Sequence, residues 1–204
     1  MELVEFQHRR FIVRTGVGHA LRPSTADKQT FKEGLEEMKR LTRLAIFVAL
    51  AFVFFKLEIP YPVPNYEFLK LDLGEAFLLL GTWVFPLEDS LMALTVWAFL
   101  GYLTGSNPVG MLFKVVCILA TLIPYHYLKS SKSKWVLVPA IRTGIMVLFN
   151  WVFAPMLWGL PTGMLPAYIL IGVIPVNLLQ TYLNLAVAET SAKYLRSHIK
   201  DIAA

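Results

Sequence analysis

Charge and cysteine are what this sequence has least of. Asp, Glu, Lys and Arg make up 16% of its 204 residues, against 56% hydrophobic residues, whereas about a quarter of a soluble domain is charged. The shortage is also uneven. From Thr143 to Ala188, 46 consecutive residues carry no charge, and a water-exposed helical hairpin of that length needs a charged outer face. A soluble fold is therefore excluded, and an integral membrane protein with a single membrane domain is expected. The one cysteine, Cys117, lies in an apolar run, so it forms no internal disulfide and reads as a packed thiol.

Several motifs are missing as well. No GxxxxGK[ST] loop occurs, which excludes ATP hydrolysis by that route. Neither GxSxG nor HExxH is present, and His8, His19, His126 and His198 are scattered, so a membrane hydrolase or metalloprotease has little support. The first 43 residues are polar and lack an apolar h-region, so no cleavable signal peptide is expected. The net charge of +5 sits in segments flanking the apolar runs rather than in a patch interleaved with aromatics. That placement fits membrane topology, and no nucleic-acid partner is expected.

Six apolar segments are present, near Thr42–Leu57, Leu71–Pro86, Ser90–Leu103, Val109–Leu128, Trp135–Trp158 and Met164–Glu189. The last three are long enough for a hydrocarbon core that needs roughly 20 residues. The first three are shorter and cross only with snorkelling lysines or local thinning. The expected fold is all-α, a polytopic membrane protein forming a compact bundle of six transmembrane helices. Three regions follow: a cytoplasmic N-terminal extension at 1–41, a membrane domain at 42–195 and a cytoplasmic tail at 196–204. The extension reads as a polar tail or, from Thr25, as a short amphipathic helix with Thr30 and Glu33 in capping-box spacing. Basic residues mark both termini and the loop 129–134, with Arg142 nearby, while the turns at 104–108 and 159–163 are uncharged. The positive-inside rule then places both termini in the cytoplasm and the segment 56–75 outside.

That segment, KLEIPYPVPNYEFLKLDLGE, holds Pro60, Pro62 and Pro64 with Tyr61, Tyr66 and Phe68. Prolines at this density prevent a regular helix. It is either a stiffened surface connection or a lid whose aromatics cover a pocket. In the uncharged final pair of segments, Asn177, Gln180 and Asn184 share one helical face, and Asn150 lies on the preceding segment. Such amides either bond between helices or line a ligand cavity. Ala45 and Ala49, four apart in the first segment, permit close helix approach, whether inside the bundle or to an external partner.

The Ala45-x-x-x-Ala49 pair, Phe68–Leu69–Lys70–Leu71–Asp72, Asn150–Trp151 and Ile174–Pro175–Val176–Asn177–Leu178–Leu179–Gln180 together resemble the substrate-binding S component of energy-coupling factor (ECF) transporters, specifically the riboflavin-type subfamily. The resemblance covers about residues 40–195. It implies a non-enzymatic vitamin-binding subunit of the cell membrane. Riboflavin would be its transported ligand rather than a cofactor, and its partners a membrane coupling subunit and two ATPase subunits. Ligand contacts are implied for Tyr66, Phe68 and Leu69 over the ring, with Lys70, Asp72, Asn150, Trp151, Asn177 and Gln180 around it. Partner contact is implied for Ala45 and Ala49. Val176 and Gln180 depart from the Pro-Phe-Asn-x-x-Lys usual in that subfamily, and Glu75–Ala76–Phe77 replaces a common Asp-Ile-Pro. The alternatives are another vitamin, such as a thiamine precursor, pantothenate or a modified base, and a structural membrane protein.

Overall fold

The structure is a computed structural model. It describes the backbone of residues 25–57, 59–60 and 70–202, and side chains at 29–57, 59 and 70–197. The chain forms two compact units, Met1–Met38 and Lys39–Ala204. In the first, the described residues are helical from Thr25, and Gln29 donates to Glu33 one turn on, at 3.3 Å.

The elements in chain order are α1 (Thr25–Lys56), β1 (Ile59–Pro60), β2 (Lys70–Leu71), α2 (Gly74–Val84), α3 (Leu87–Leu103), α4 (Pro108–Leu128), α5 (Lys134–Trp158), a 3-10 turn (Thr162–Met164), α6 (Leu165–Tyr168), a π-helical turn (Ile169–Val173) and α7 (Ile174–Ile202). From α6 the chain winds through the π turn into α7, so these pieces act as one rod, and the second unit is a six-helix bundle. The π turn comes just before Pro175, whose missing N–H removes a helical hydrogen bond. Pro124, Pro139 and Pro155 lie inside helices, as neighbouring helices allow in a membrane bundle. The helices α4 and α5 and the span 162–197 are long and apolar enough to cross a membrane.

Local sequence explains several ends. Asn107 caps α4, its Oδ1 accepting from Val109 N at 2.9 Å and Gly110 N at 3.4 Å, with Pro108 at the first helical position. Gly159 closes α5 at φ 64°, left-handed backbone that glycine adopts without strain. The acidic first turn of α3 places Asp89 in a buried site, where Arg40 Nε donates to it at 2.7 Å.

Two differences from the sequence reading concern the start of the bundle. The expected short helix from Thr25 and the apolar segment from Thr42 fall in one element, α1. The expected second crossing shortens to the 11 residues of α2, about 16 Å at 1.5 Å per residue, because residues 70–71 pair as strand instead. Register Ile59↔Leu71 and Pro60↔Lys70 closes the proline-rich segment at its base. Gly74 then lets α2 start against the α1 backbone: a Cβ there would strike the Ala51 carbonyl oxygen and lie 2.9 Å from Phe55 N.

Packing forms two apolar clusters. The larger joins Leu44, Val48, Ala51 and Phe55 of α1 to Leu78, Leu79, Leu94, Trp97, Ile118, Val138 and Leu185. The smaller joins Phe113, Cys117, Met146, Ala154, Tyr168 and Val173. Leu112, Leu148, Met156, Leu170 and Ile171 point outward from α4, α5 and the π turn, as a lipid-facing surface requires.

Candidate functional site

A cavity of about 530 Å³ draws on both apolar clusters, lined by Phe55, Met111 and Ile118 from one and Phe113, Cys117, Met146 and Tyr168 from the other. Lys70 and Asp72, the α3–α4 turn at Gly105–Asn107 and Trp158 also line it. The cavity therefore lies toward the end of the bundle that carries the β1–β2 ladder and the uncharged turns.

Asp72 is held from four sides. Its N–H donates to Gln180 Oε1 at 3.1 Å, and Gln180 Nε2 donates back to its carbonyl. Gly74 N–H donates to Oδ1 at 2.9 Å, and Lys114 Nζ pairs with Oδ2 at 2.8 Å. Lys114 Nζ also stands 4.3 Å from the Phe55 ring centroid, a cation–π contact in the cavity wall. Gln180 thus clamps the strand that leads into α2, and Lys114 fixes the carboxylate.

The floor is built on Arg142. Its Nη1 donates to Glu75 Oε1 and Oε2 at 2.5 and 2.7 Å and to Thr121 Oγ1 at 3.0 Å, while Nε donates to Asn177 Oδ1 at 3.1 Å. Asn184 Nδ2 donates to Glu75 Oε2 at 3.2 Å, and Cys117 Sγ donates to Asn177 Oδ1 at 3.1 Å. Both ions are buried, and burying a charge in apolar surroundings is sustained by pairing and hydrogen bonds. Nη2 makes no bond among the described residues, and Arg142 lines the cavity. Beside it Asn150 Nδ2 donates to the Met146 carbonyl and its Oδ1 accepts from Tyr168 Oη, both at 2.8 Å.

Of the residues expected at the site, Lys70, Asp72, Asn150, Asn177 and Gln180 line this one cavity. Their amides are engaged with the protein itself. Asn177 holds Arg142, Gln180 holds Asp72, and Asn150 ties Tyr168 to α5. Trp151 is 53% exposed and outside the cavity lining. Lining positions on α5 repeat as Met146, Asn150 and Trp158, at four- and eight-residue spacing, and Trp151 falls about 100° around the helix from Asn150. Ala45 and Ala49 are exposed on α1, beside its buried face. Tyr66, Phe68 and Leu69 lie outside the described residues.

Sequence reasoning missed Glu75, Lys114 and Arg142. Arg142 was counted with the basic loop, yet it lies inside α5 and is buried. The signal was present: Arg142 in VPAIRTGIMV and Lys114 in MLFKVVCIL interrupt apolar helices, and an ionisable residue within a spanning segment marks a functional position by default.

A membrane bundle enclosing a cavity with a few fixed polar groups has the form of a substrate-binding protein. Residues 39–192 match the family model for the substrate-specific component of ECF transporters, and the chain belongs to that family, whose members bind substrate and work with a module of membrane and ATPase subunits. A solved structure described as "Structure and mechanism of the S component of a bacterial ECF transporter" is similar at TM-score 0.70 and 22% identity, covering 80% of this chain and 99% of that one. At that identity the likeness speaks for the fold. No curated protein matches.

Proposed function

We propose that the cavity binds riboflavin or a related flavin, and that it opens to the outside with both termini cytoplasmic. The observation carrying this reading is the cavity's division into flat walls and few donors. Phe55, Phe113, Trp158 and Tyr168 offer aromatic surface, while the Arg142 guanidinium offers a charged donor edge. A flavin ring presents apolar faces and an edge of carbonyl and ring-nitrogen acceptors, and its polyol chain suits the amides and Asp72. The volume is ample for one such molecule, since small-ligand pockets run about 300–1,000 Å³. Tyr66, Phe68 and Leu69, outside the described residues, are assigned to the flavin ring on the family resemblance.

Titrating riboflavin into the purified protein in detergent tests this. Quenched flavin fluorescence and a raised unfolding temperature are expected, and a colourless protein that riboflavin leaves unstabilised rejects it. A second reading has one observation in its favour. Lys70, Lys114 and Arg142 outnumber Asp72 and Glu75 in the lining by one, which suits a vitamin bearing a carboxylate, such as pantothenate. Stabilisation by pantothenate and not by riboflavin would select it.

The orientation is read from Lys129, Lys132 and the basic C-terminal segment, now without Arg142. Impermeant thiol reagents on intact cells should label Thr162→Cys and spare Ser131→Cys; the reverse pattern would invert the topology. Coupling is assigned to the exposed Ala45–Ala49 face. Ala49→Trp should keep ligand affinity and abolish uptake in cells, and joint loss of both would make the pair internal packing.

A further inference from the structure

The opposite end of the bundle holds a cluster that the transport reading does not use. Trp83, in the last turn of α2, is ringed by cations. Arg196 Cζ lies 3.8 Å from its ring centroid, Lys129 Nζ 5.4 Å and Lys134 Nζ 5.9 Å. The indole Nε1 donates to Tyr125 Oη at 2.8 Å, and Tyr125 donates to Glu189 Oε1 at 2.6 Å. Lys134 Nζ takes the other Glu189 oxygen at 2.7 Å. Next to this cluster a recess of about 390 Å³ is lined by Trp83, Glu189, Thr190, Ala192, Lys193 and Arg196.

The charges do not balance. Glu189 is committed to Lys134 and Tyr125, and among the described residues no carboxylate pairs with Lys129, Lys193 or Arg196. Burial chiefly, and the nearby Arg196 second, push the Lys129 ammonium below its ordinary pKa. Stacked on the indole, the Arg196 guanidinium keeps a planar N–H edge for an acceptor. Val84, Tyr127 and Tyr194 are exposed on the helices that form the cluster, and Trp and Tyr at a helix end mark a membrane–water interface.

We propose that this recess binds a phosphate-bearing anionic headgroup, that of an anionic phospholipid in the leaflet at this end of the bundle. The phosphate oxygens accept from Arg196 and Lys193, with Lys129 adding long-range attraction, and the acyl chains lie along the adjoining exposed apolar surface. Free inorganic phosphate shares the headgroup chemistry and lacks the chains. The assignment is independent of which vitamin fills the cavity.

The test counts bound lipid on the full chain by native mass spectrometry. The protein is released from neutral-detergent micelles doped with phosphatidylglycerol or phosphatidylcholine. One preferred phosphatidylglycerol adduct is expected, and Lys193→Gln with Arg196→Gln should weaken it roughly tenfold or more, since each basic residue at a membrane surface contributes measurably to anionic-lipid binding. The riboflavin titration should be unchanged in that variant. Lys193→Glu, a charge reversal at an exposed position, should lower adduct affinity even if the double variant folds poorly. Inorganic phosphate should leave the adduct in place; displacement at equal concentration would assign the site to free phosphate. Equal affinity for the two lipids, or equal phosphatidylglycerol affinity in parent and Lys193→Glu, overturns the proposal.

Discussion

The two ends of the bundle treat charge in opposite ways. At the cavity floor Arg142 and Glu75 are both buried and meet directly, with Thr121, Asn177 and Asn184 completing their bonds. Around Trp83 a single carboxylate among the described residues, Glu189, faces Lys129, Lys134, Lys193 and Arg196. The contrast follows from solvation. Deep in an apolar bundle an unmatched ion costs several kcal/mol, so each charge brings its partner. At an interface, water and lipid headgroups supply counter-charge, and an excess is sustained. A surplus donor at the floor is therefore informative, and Nη2 of Arg142, which makes no bond among the described residues, is that donor.

Breaking the matched pair should produce the largest effect. Arg142→Met leaves Glu75 buried without its cation, and such losses cost about 3–5 kcal/mol. Thermal unfolding in detergent should show this, and adding Glu75→Leu should recover a large part, because an apolar pair of similar volume avoids the desolvation penalty. Failure of the second change to recover stability would mean that Glu75 is satisfied without Arg142.

Next in size is the division of labour along α7. Asn177 lines the cavity and orients Arg142, whereas Asn184 is outside the lining and reaches Glu75. Asn177→Ala should weaken ligand binding by about 1–3 kcal/mol, roughly 5- to 150-fold. Asn184→Ala should lower unfolding temperature equally with and without ligand and leave affinity unchanged. Calorimetric titration beside thermal unfolding separates the two, and equal affinities for Asn177→Ala and the parent would move the site off this helix.

Gln180 sharpens the same comparison. The riboflavin-type pattern has lysine at this position and implies that Gln180→Lys retains or strengthens flavin binding. The clamp on Asp72 reverses that expectation: a lysine can donate to the Asp72 carbonyl, but it cannot accept the Asp72 N–H. Leaving that buried donor unpaired costs about 1–3 kcal/mol. Stability and affinity should both fall, and undiminished flavin affinity would show that the amine contacts the ligand directly.

How much of this was legible beforehand depends on the kind of signal. Apolar runs and uncharged turns gave the six helices, and three- and four-residue spacing gave the shared face of Asn177, Gln180 and Asn184, because both are local properties of a helix. The partners of those amides were not legible. Gln180 to Asp72 and Asn184 to Glu75 span 108 and 109 residues, and no local rule pairs them. The strand at Lys70–Leu71, which shortens α2, likewise depends on Ile59 and Pro60 across the proline segment. Arg142 was counted with the loop for its sign alone, although the expected segment Trp135–Trp158 already enclosed it, because its partner Glu75 lies 67 residues away and no local rule pairs them.

The smallest effect belongs to neighbouring positions on α5. Trp151 follows Asn150 directly and shares its site in what the resemblance implies, yet it is turned about 100° from it and is 53% exposed. Trp158, eight residues on from Asn150, returns to the cavity side and lines it. Its ring also packs 4.5 Å, centroid to centroid, from Phe113, another lining residue. Trp158→Leu should therefore reduce ligand affinity, since aromatic contacts are worth about 0.5–1.5 kcal/mol beyond the area they bury. Trp151→Leu exchanges one lipid-facing apolar side chain for another and should leave affinity within about twofold, a margin under 0.5 kcal/mol. The two variants titrated side by side, in the same detergent, decide the rotation of α5. A loss for Trp151→Leu with none for Trp158→Leu would turn the helix and restore Trp151 to the site.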